Sequence, residues 1–212
     1  MKAQILEIKL HGPLHHGSGF GLPGILDRLV LRDCSNIPYL AGSAIKGRLR
    51  HAALRILLTT GQRACQYADQ KAICRDGNPC GVCVLFGSPR RPGALSFGDA
   101  YPAPEILAVL RDIAKMPRGS GLFRDSAVRA GTAIDRVRRT VRPHLLFNTE
   151  TLPEVFVFRG TIGGDAGKHQ TLLEHACRLL THFGAGGARG LGRCEFCLPP
   201  STGAQREEGA PA

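Results

Sequence analysis

The stretch GSAIKGRLRHAALRILL, residues 42–58, predicts the first helix of the fold. A Gly-Ser turn leads into residues 44–58, where apolar side chains recur at helical spacing on one face. That face consists of Ile45, Leu49, Ala52, Ala53 and Ile56. A helix of this kind packs its apolar stripe against a core and leaves its other side in water.

Three cationic side chains occupy the first turns of this helix: Lys46, Arg48 and Arg50. The N-terminal end of a helix already carries partial positive charge, so further cations there indicate a negative partner. Free amides, the hydroxyl of Ser43 and the flanking cations together suit a phosphate group. The alternative is a capped surface helix whose cations only interact with water.

The charge of the chain also points to a polyanionic partner. It has 28 Lys and Arg against 17 Asp and Glu, a net charge of +11, which favours nucleic acid. Residues 111–144 hold nine Lys or Arg and three Asp, a surplus of six positive charges; a solvated basic face is the alternative. Aromatic residues are scarce, so we expect contact with a sugar-phosphate backbone more than base stacking.

The length of 212 residues suits one domain with insertions or two small domains. The apolar runs are far shorter than the ~18 residues of a membrane span. Residues 1–10 alternate like a strand and lack the apolar region and cleavage site of a signal peptide. We therefore expect a cytoplasmic protein with no membrane partner.

Four of the eight cysteines cluster in the sequence: Cys65, Cys74, Cys80 and Cys83. The last two form a C-x-x-C pair on a Gly/Pro-rich turn, which can aim two thiolates at one tetrahedral Zn²⁺. Disulfides are disfavoured in a chain with no secretory signal. We predict a structural Zn²⁺ site without an open position for catalysis, with reduced, unpaired cysteines in a loop as the alternative.

The other four cysteines are predicted to be packing residues. Cys194 and Cys197 form a second C-x-x-C, but within a predicted strand two residues three apart face opposite sides of the sheet. Cys34 and Cys177 complete this group.

The order of the remaining elements predicts the fold class. We expect strands at residues 2–10, 94–101 and 193–198, one bent or two short strands within 145–163, an extended segment at 25–33, and a second helix at 169–183. Strand, helix, strand, strand, helix, strand is the α+β, ferredoxin-like (RRM-like) pattern βαββαβ. It packs an antiparallel sheet against two helices and leaves one sheet face free.

Two glycine-rich segments have different meanings. GFGLPG, residues 19–24, matches G-x-G-x-x-G, but strand-like residues follow it where a dinucleotide fingerprint needs a helix. The loop of residues 182–193 has five glycines around Arg189. Bare backbone lets a ligand approach the amides closely, so we predict ligand contact there; a permissive turn is the alternative.

Five motifs resemble the RAMP superfamily of CRISPR effector proteins and, within it, the repeated backbone subunit of type III complexes. In chain order they are GLPGILDRLVLRD (21–33), IPYLAGSAIKGRLR (37–50), CGVCVLFGSP with ALSFGDA (80–89 and 94–100), IDRVRRTVRPHLLFNTETLP (134–153) and GAGGARGLGR (184–193).

This resemblance implies a single palm domain over residues 1–199 with two insertions. These are a zinc-binding cysteine loop at 61–90 and a basic thumb β-hairpin at 111–144, and residues 200–212 are expected to form a disordered tail. Copies of the subunit would stack as a filament along a guide (CRISPR) RNA. With other CRISPR effector subunits they would form a ribonucleoprotein complex that presents the guide to target RNA in antiviral defence.

The resemblance also implies which residues contact RNA. The helix, the thumb and the glycine-rich loop would supply these contacts, and in that family the thumb separates guide from target at regular intervals. The residues are Ser43, Lys46, Arg48, Arg50, Arg136, Arg138, Arg139, Arg142, Gly186, Gly187, Arg189 and Gly190.

In such subunits an Asp in a D-x-x-V-x-R-D loop cuts the target RNA, and Asp27 holds that position in DRLVLRD. A carboxylate could orient a 2′-OH for attack, directly or through a divalent ion such as Mg²⁺. This chain has Arg28-Leu29 where relatives commonly show a small residue and Pro. The alternative is that Asp27 only caps its loop and pairs with Arg28. A further alternative for the whole chain is an unrelated zinc-containing nucleic-acid-binding module.

Overall fold

A computed structural model describes residues 3–65, 74, 78–115 and 125–198. The helices are α1 (Gly42–Thr59), α2 (Gly81–Phe86), α3 (Pro104–Lys115) and α4 (Gln170–Leu179). The strands are β1 (Ala3–Leu10), β2 (Leu95–Phe97), β3 (Tyr101–Pro102), β4 (Ala127–Ile134), β5 (Val141–Thr151), β6 (Val157–Gly164) and β7 (Cys194–Cys197). The tail predicted at 200–212 lies outside the described residues, as do parts of both predicted insertions.

The protein is a mixed α/β fold with two antiparallel sheets. In the larger sheet the strand order is β2-β6-β1-β7, and β3 pairs with β6 as well. Every pairing in it is antiparallel. The second sheet is the hairpin of β4 and β5.

The larger sheet buries one face beneath helices. Along β1, Leu6, Ile8 and Leu10 are buried while Ile5 is 54% exposed, the alternation expected of a strand with one solvated face. The apolar stripe of α1 lies in the same core as residues of α4. Both helices therefore cover the face to which Leu6 and Ile8 point.

The ends of several elements meet at one edge of the larger sheet, which we call the upper edge. Because β1 and β7 are antiparallel, Leu10 at the end of β1 lies opposite Cys194 at the start of β7. The His11 N–H donates to the carbonyl of Arg193 at 2.8 Å. The loop after β1 and the glycine-rich loop before β7 are thereby neighbours.

The start of α1 lies at this upper edge too. The Ala41 N–H, directly before the helix, donates to Nε2 of His16 at 3.3 Å, and the His16 ring contacts Phe183 with the ring centroids 5.2 Å apart. Phe183 is buried and precedes the glycine-rich loop. The helix start and that loop are therefore held together through one histidine.

Several predicted elements differ from the observed ones. The extended segment expected at residues 25–33 pairs through isolated bridges at alternate residues, such as Arg28 with Thr149, and not as a continuous strand. The helix α4 stops at Leu179 because the backbone of Leu180 turns extended. The unpredicted helix α3 takes residues 111–115 out of the basic segment. None of the described helices is both long and apolar enough to cross a bilayer.

Candidate nucleic-acid interface and metal site

The N-terminal amides of α1 are largely used within the protein. The Gly42 N–H donates to Oδ1 of Asp99 at 2.7 Å, and the Ala44 and Ile45 N–H groups donate to the carbonyl of Ala41. A carboxylate is favourable at the positive end of a helix. The expectation of a helix end with free amides is therefore wrong at these three residues, and Ser43, which is exposed, does not cap the helix.

Lys46 and Arg50 line the same open cleft of about 640 Å³. The turn of residues 87–93 forms its other wall and adds a third cation, Arg91. The Arg50 guanidinium donates to the carbonyl of Gly87 at 3.0 Å and so ties α1 to this turn. Nε of Arg91 is buried and has no hydrogen-bond partner among the described residues. The cleft is thus lined by three cations.

Arg48 lies on the other side of α1. Its Nη2 donates to the carbonyl of His182 at 2.9 Å, beside the glycine-rich loop. The helix therefore separates the Lys46–Arg50 pair from Arg48.

The glycine-rich loop is fixed to the loop after β1 through its backbone. The Ala185 N–H donates to the carbonyl of His15 at 2.9 Å, and the Gly192 N–H donates to that of Pro13 at 2.7 Å. Gly186 and Gly190 have φ angles of 81° and 78°, a left-handed conformation that glycine adopts without strain. Conformation thus accounts for these two glycines, and their contact with RNA stays a prediction.

The β4–β5 hairpin carries the four predicted thumb arginines near its tip. Their exposed side chains surround a turn in which Asp135 accepts hydrogen bonds from the N–H groups of Val137 and Arg138 at 2.9 and 3.0 Å. Val137 itself is 93% exposed. The arginines in question, Arg136, Arg138, Arg139 and Arg142, line neither the cleft of Lys46 nor the second cavity described next.

A second cavity, of about 340 Å³, lies between the glycine-rich loop and the hairpin. Arg28, Arg129, Arg189 and Phe147 line it. Carbon Cζ of Arg28 lies 5.3 Å from the centroid of the Phe147 ring, and Cζ of Arg189 lies 5.7 Å from it. Of these four residues, Arg189 alone was predicted from the sequence to be a binding residue.

Asp27 is held against β5 by reciprocal contacts with one residue. Its Oδ2 accepts the Asn148 N–H at 2.7 Å, and its own N–H donates to the Asn148 carbonyl at 3.0 Å. The side chain is exposed. No ion pair joins Asp27 to Arg28 among the described residues, because the Arg28 guanidinium lies over Phe147. Asp27 thus caps its loop as the alternative predicts, but does not pair with Arg28.

A buried cluster around Glu150 joins the hairpin to the Asp27 loop. Glu150, 1% exposed, accepts from Nη2 of Arg32 at 2.6 Å, from the hydroxyl of Ser126 at 2.7 Å and from the Val30 N–H at 2.8 Å. Arg32 also donates two hydrogen bonds to Asp125, at 2.6 and 2.9 Å. Burial opposes the charge on Arg32, but hydrogen bonds to both carboxylates offset it and hold the Arg32 pKa above its ordinary value.

The four clustered cysteines converge on one point. The Sγ atoms of Cys65, Cys74, Cys80 and Cys83 all lie within 4.8 Å of one another, and all four residues are buried. Sulfur ligands around a tetrahedral Zn²⁺ lie about 3.8 Å apart, given Zn–S bonds of about 2.3 Å. The Cys74 N–H donates to the sulfur of Cys65 at 2.9 Å and the Cys80 N–H to that of Cys74 at 3.3 Å. This set of donors fits a soft metal ion.

Burial and mutual hydrogen bonds set the acidity of the thiols in this cluster. Burial raises the pKa of Cys65 far above its ordinary value and that of Cys83 to about 11. Burial also opposes ionisation of Cys74, but hydrogen bonds from Cys65 and the Cys80 N–H outweigh it and lower the Cys74 pKa. Several thiolates buried side by side need a metal ion or cationic neighbours for stability.

The remaining cysteines differ in their surroundings. Cys177 and Cys194 are buried as predicted and Cys197 is half-buried, but Cys34 is exposed, so its assignment as a packing residue is wrong. Cys34 follows Asp33, whose Oδ1 accepts the N–H groups of Ser35 and Ile37 in a surface turn. All eight cysteines belong to the described residues, and no disulfide joins any of them.

Comparison with protein families decides the relationship that the motifs suggest. The model of the RAMP superfamily matches residues 7–195. The chain belongs to the RAMP superfamily. This confirms the resemblance seen in the sequence and argues against a zinc-containing module unrelated to that superfamily.

Solved structures share the fold of this RAMP protein. One is from "Cryo-EM structure of the Type III-B Cmr-beta bound to cognate target RNA", with 14% identity and a TM-score of 0.61. Another is from "Type III-B Cmr-beta Cryo-EM structure of the Apo state", with 14% identity and a TM-score of 0.64. In both cases the match covers 92% of this chain and 96% of the other. A comparison with curated protein sequences gives no significant match.

In the RAMP fold the predicted RNA-binding residues lie in three separate groups. Lys46 and Arg50 share the open cleft, Arg48 and the glycine-rich loop lie across α1, and the thumb arginines lie at the hairpin tip. Sequence reasoning missed Arg91, which comes just after the CGVCVLFGSP motif, and it missed Arg28, Arg129 and Phe147. For Arg28, Arg129 and Phe147, the sequence offered one signal, which is that the basic residue Arg28 directly follows Asp27.

Removal of the Glu150 carboxylate is expected to destabilise the protein strongly. Removing the buried Glu150 carboxylate by Glu150→Ala leaves the half-buried Arg32 with one carboxylate partner and the Val30 N–H with none, a loss of about 3–5 kcal/mol. Chemical denaturation measures this free energy of unfolding. Glu154→Ala, at an exposed position in the same chain segment, is the control and should change it by less than about 0.5 kcal/mol. Equal stabilities of the two variants would contradict the role of the cluster.

Proposed function

We propose that this RAMP protein is a guide-RNA-binding backbone subunit of a type III CRISPR effector complex. The convergence of Lys46, Arg50 and Arg91 on one open cleft carries the proposal, because a cleft with three cations suits the phosphates of a polynucleotide. The fold shared with structures titled as Type III-B Cmr-beta complexes, one with cognate target RNA, supports it. The subunit would act in the cytoplasm and present the guide RNA for pairing with target RNA.

The path of the RNA would cross the start of α1. The cleft lies on one side of the helix, and Arg48 and the glycine-rich loop lie on the other. Ser43 is exposed at the helix start. An RNA backbone that crosses this end of α1 could contact both cationic groups through its phosphates. Such binding would not depend on the base sequence.

The larger sheet and its two helices would form a ferredoxin-like palm, and the β4–β5 hairpin its thumb. If the strands of a βαββαβ unit are numbered along the chain, the observed neighbours β2, β6, β1 and β7 read 2-3-1-4, the order that a split βαβ pair produces. The arginines at the hairpin tip would contact RNA at a distance from the palm. Copies of the palm would stack as a filament with other CRISPR effector subunits.

A second activity, cleavage of the target RNA, is favoured by the geometry of Asp27. Its carboxylate is exposed and oriented through Oδ2 by the Asn148 N–H, while Oδ1 has no protein partner among the described residues. An oriented carboxylate with one free oxygen can accept a proton from a 2′-OH, or hold Mg²⁺ beside a phosphodiester. Asp27 would then act as the catalytic residue of an endoribonuclease.

The metal held by the four cysteines would be Zn²⁺ in a structural role. Four thiolates complete a tetrahedral shell and leave no position for substrate. The site would fix the loop between α1 and α2, beside Arg50. Burial lowers the pKa of Arg50, and the nearby Cys83, Cys65 and Cys80 offset part of that effect. The metal site would thus lie beside Arg50, which also lines the proposed RNA cleft.

Binding of single-stranded RNA tests the main proposal. The wild-type chain should bind a uridine homopolymer with an affinity that falls steeply with salt, by a slope of about 0.7 per neutralised phosphate. Lys46→Gln should reduce the slope by about that amount, as measured by fluorescence anisotropy. Lys168→Gln, a matched change in the exposed turn directly before α4, should leave the slope unchanged. Absence of RNA binding by the wild-type chain at low salt would refute the function.

Cleavage is tested with the assembled, guide-containing complex and complementary RNA in Mg²⁺. Asp27→Asn retains an oxygen that can accept the Asn148 N–H, so the loop should stay in place and RNA affinity should not change. The cleavage rate should fall by roughly hundredfold or more, since a general base contributes that much. Asp165→Asn, at an exposed turn where Asp165 caps Gly167, is the matched control. Cleavage at wild-type rate by Asp27→Asn would exclude this residue as the catalyst.

Metal analysis tests the cysteine site. The purified protein should contain about one zinc ion per chain, and Cys80→Ser should lose it together with at least about 5 °C of thermal stability. Acid should release the metal, because protonated thiols no longer bind it. Cys34→Ser, outside the cluster, should keep both metal and stability. A zinc-free protein with full stability would show that the cysteines are simply reduced thiols.

A further inference from the structure

The second cavity combines a predicted RNA contact, Arg189, with two cations that the sequence did not predict to bind RNA. We call it the three-arginine pocket, after Arg28, Arg129 and Arg189. These residues come from three separate segments: the Asp27 loop, β4 and the glycine-rich loop. Their convergence is a result of the tertiary fold, because no short stretch of sequence contains two of them.

The pocket concentrates positive charge without compensation. No acidic side chain lines it, and within the described residues none of the three guanidiniums forms an ion pair with a carboxylate. By contrast, the half-buried Arg32 is neutralised by Asp125 and Glu150. Like charges in one pocket repel each other unless an anion binds between them. The pocket therefore has the electrostatics of an anion site.

Phe147 gives this pocket a defined shape. The guanidiniums of Arg28 and Arg189 both lie over its ring, a contact that favours cations and limits their motion. The ring in turn lies across Gly131, its partner in the hairpin. A Cβ atom at Gly131 would stand 2.5 Å from Cε2 of Phe147, so the ring position requires glycine there. The two guanidiniums are thus positioned before any ligand arrives.

The pocket also lies next to the Asp27 contact. Arg28 follows Asp27, and Phe147 precedes Asn148, so the Arg28–Phe147 pair is one residue away from the Asp27–Asn148 pair along both segments. Planar guanidiniums match the oxygens of a phosphate group bidentately. We propose that the three-arginine pocket binds one phosphodiester group of RNA beside the Asp27 loop. This rests on the proposed RNA-binding function and adds a second anchoring point, independent of the Lys46 cleft.

Salt-dependent RNA binding by single variants tests this site. Arg129→Gln removes one exposed guanidinium at the hairpin, so affinity for the uridine homopolymer should fall by roughly tenfold and the salt slope by about 0.7. Arg129→Lys should keep most of the salt dependence of RNA binding but not the full affinity, because lysine lacks the planar guanidinium that binds a phosphate through two hydrogen bonds. Gly131→Ala should weaken binding with no change of charge, by displacing Phe147. Arg111→Gln, an exposed position on α3, is the control and should bind as the wild type does.

Three results would overturn the proposal. If Lys46→Gln weakens RNA binding while Arg129→Gln and Arg189→Gln behave like Arg111→Gln, the function stands and the pocket is not a phosphate site. If polyglutamate competes with RNA as well as polyuridine does, and loses this ability in Arg129→Gln, the pocket binds acidic peptides instead. Absence of RNA binding by the wild-type chain would remove both proposals together.

Discussion

The hydrogen bonds of the buried Glu150 carboxylate are the contacts on which the arrangement of the surrounding loops depends. It accepts hydrogen bonds from Arg32, Ser126 and Val30, and the carbonyl of the same residue accepts one from the His15 ring at 2.7 Å. These groups belong to the Asp27 loop, the base of the hairpin and the loop after β1. A buried charge must be fully hydrogen-bonded to be tolerated, so the cluster fixes three loops relative to each other.

The Glu150 cluster also helps to explain how the glycine-rich loop and the start of α1 are held in defined positions. The loop after β1 holds the glycine-rich loop through the carbonyls of His15 and Pro13, and it holds the start of α1 through His16. Arg28, Arg129 and Arg189 can therefore remain without acidic partners among the described residues, since the cluster that positions their loops is neutralised internally. The exposed arginines are therefore available to bind a polyanion, whereas the buried charges of the Glu150 cluster hold the loops in place.

Local patterns in the sequence predicted those features that depend on near neighbours. The apolar stripe of α1 is observed at Ile45, Leu49, Ala52 and Ala53, because helical period is a short-range property. The cysteine cluster was predictable because thiols seldom gather without a metal or a disulfide. The partners of residues 25–33 could not be predicted, because their amides bond to β5 and to the preceding loop in isolated bridges, which no local period reveals.

The sequence by itself determined the net charge, the face of α1, the four clustered cysteines and the family. Only the tertiary structure decided which cations share a cavity: Lys46 and Arg50 with Arg91 on one side, and Arg28 with Arg129 and Arg189 on the other. It also decided that Asp99 occupies the start of α1 and that Asp27 binds Asn148. The reason is that these contacts join helices, turns and strands that lie far apart in the sequence, and the packing of the whole core, not the identity of adjacent residues, decides which segments meet.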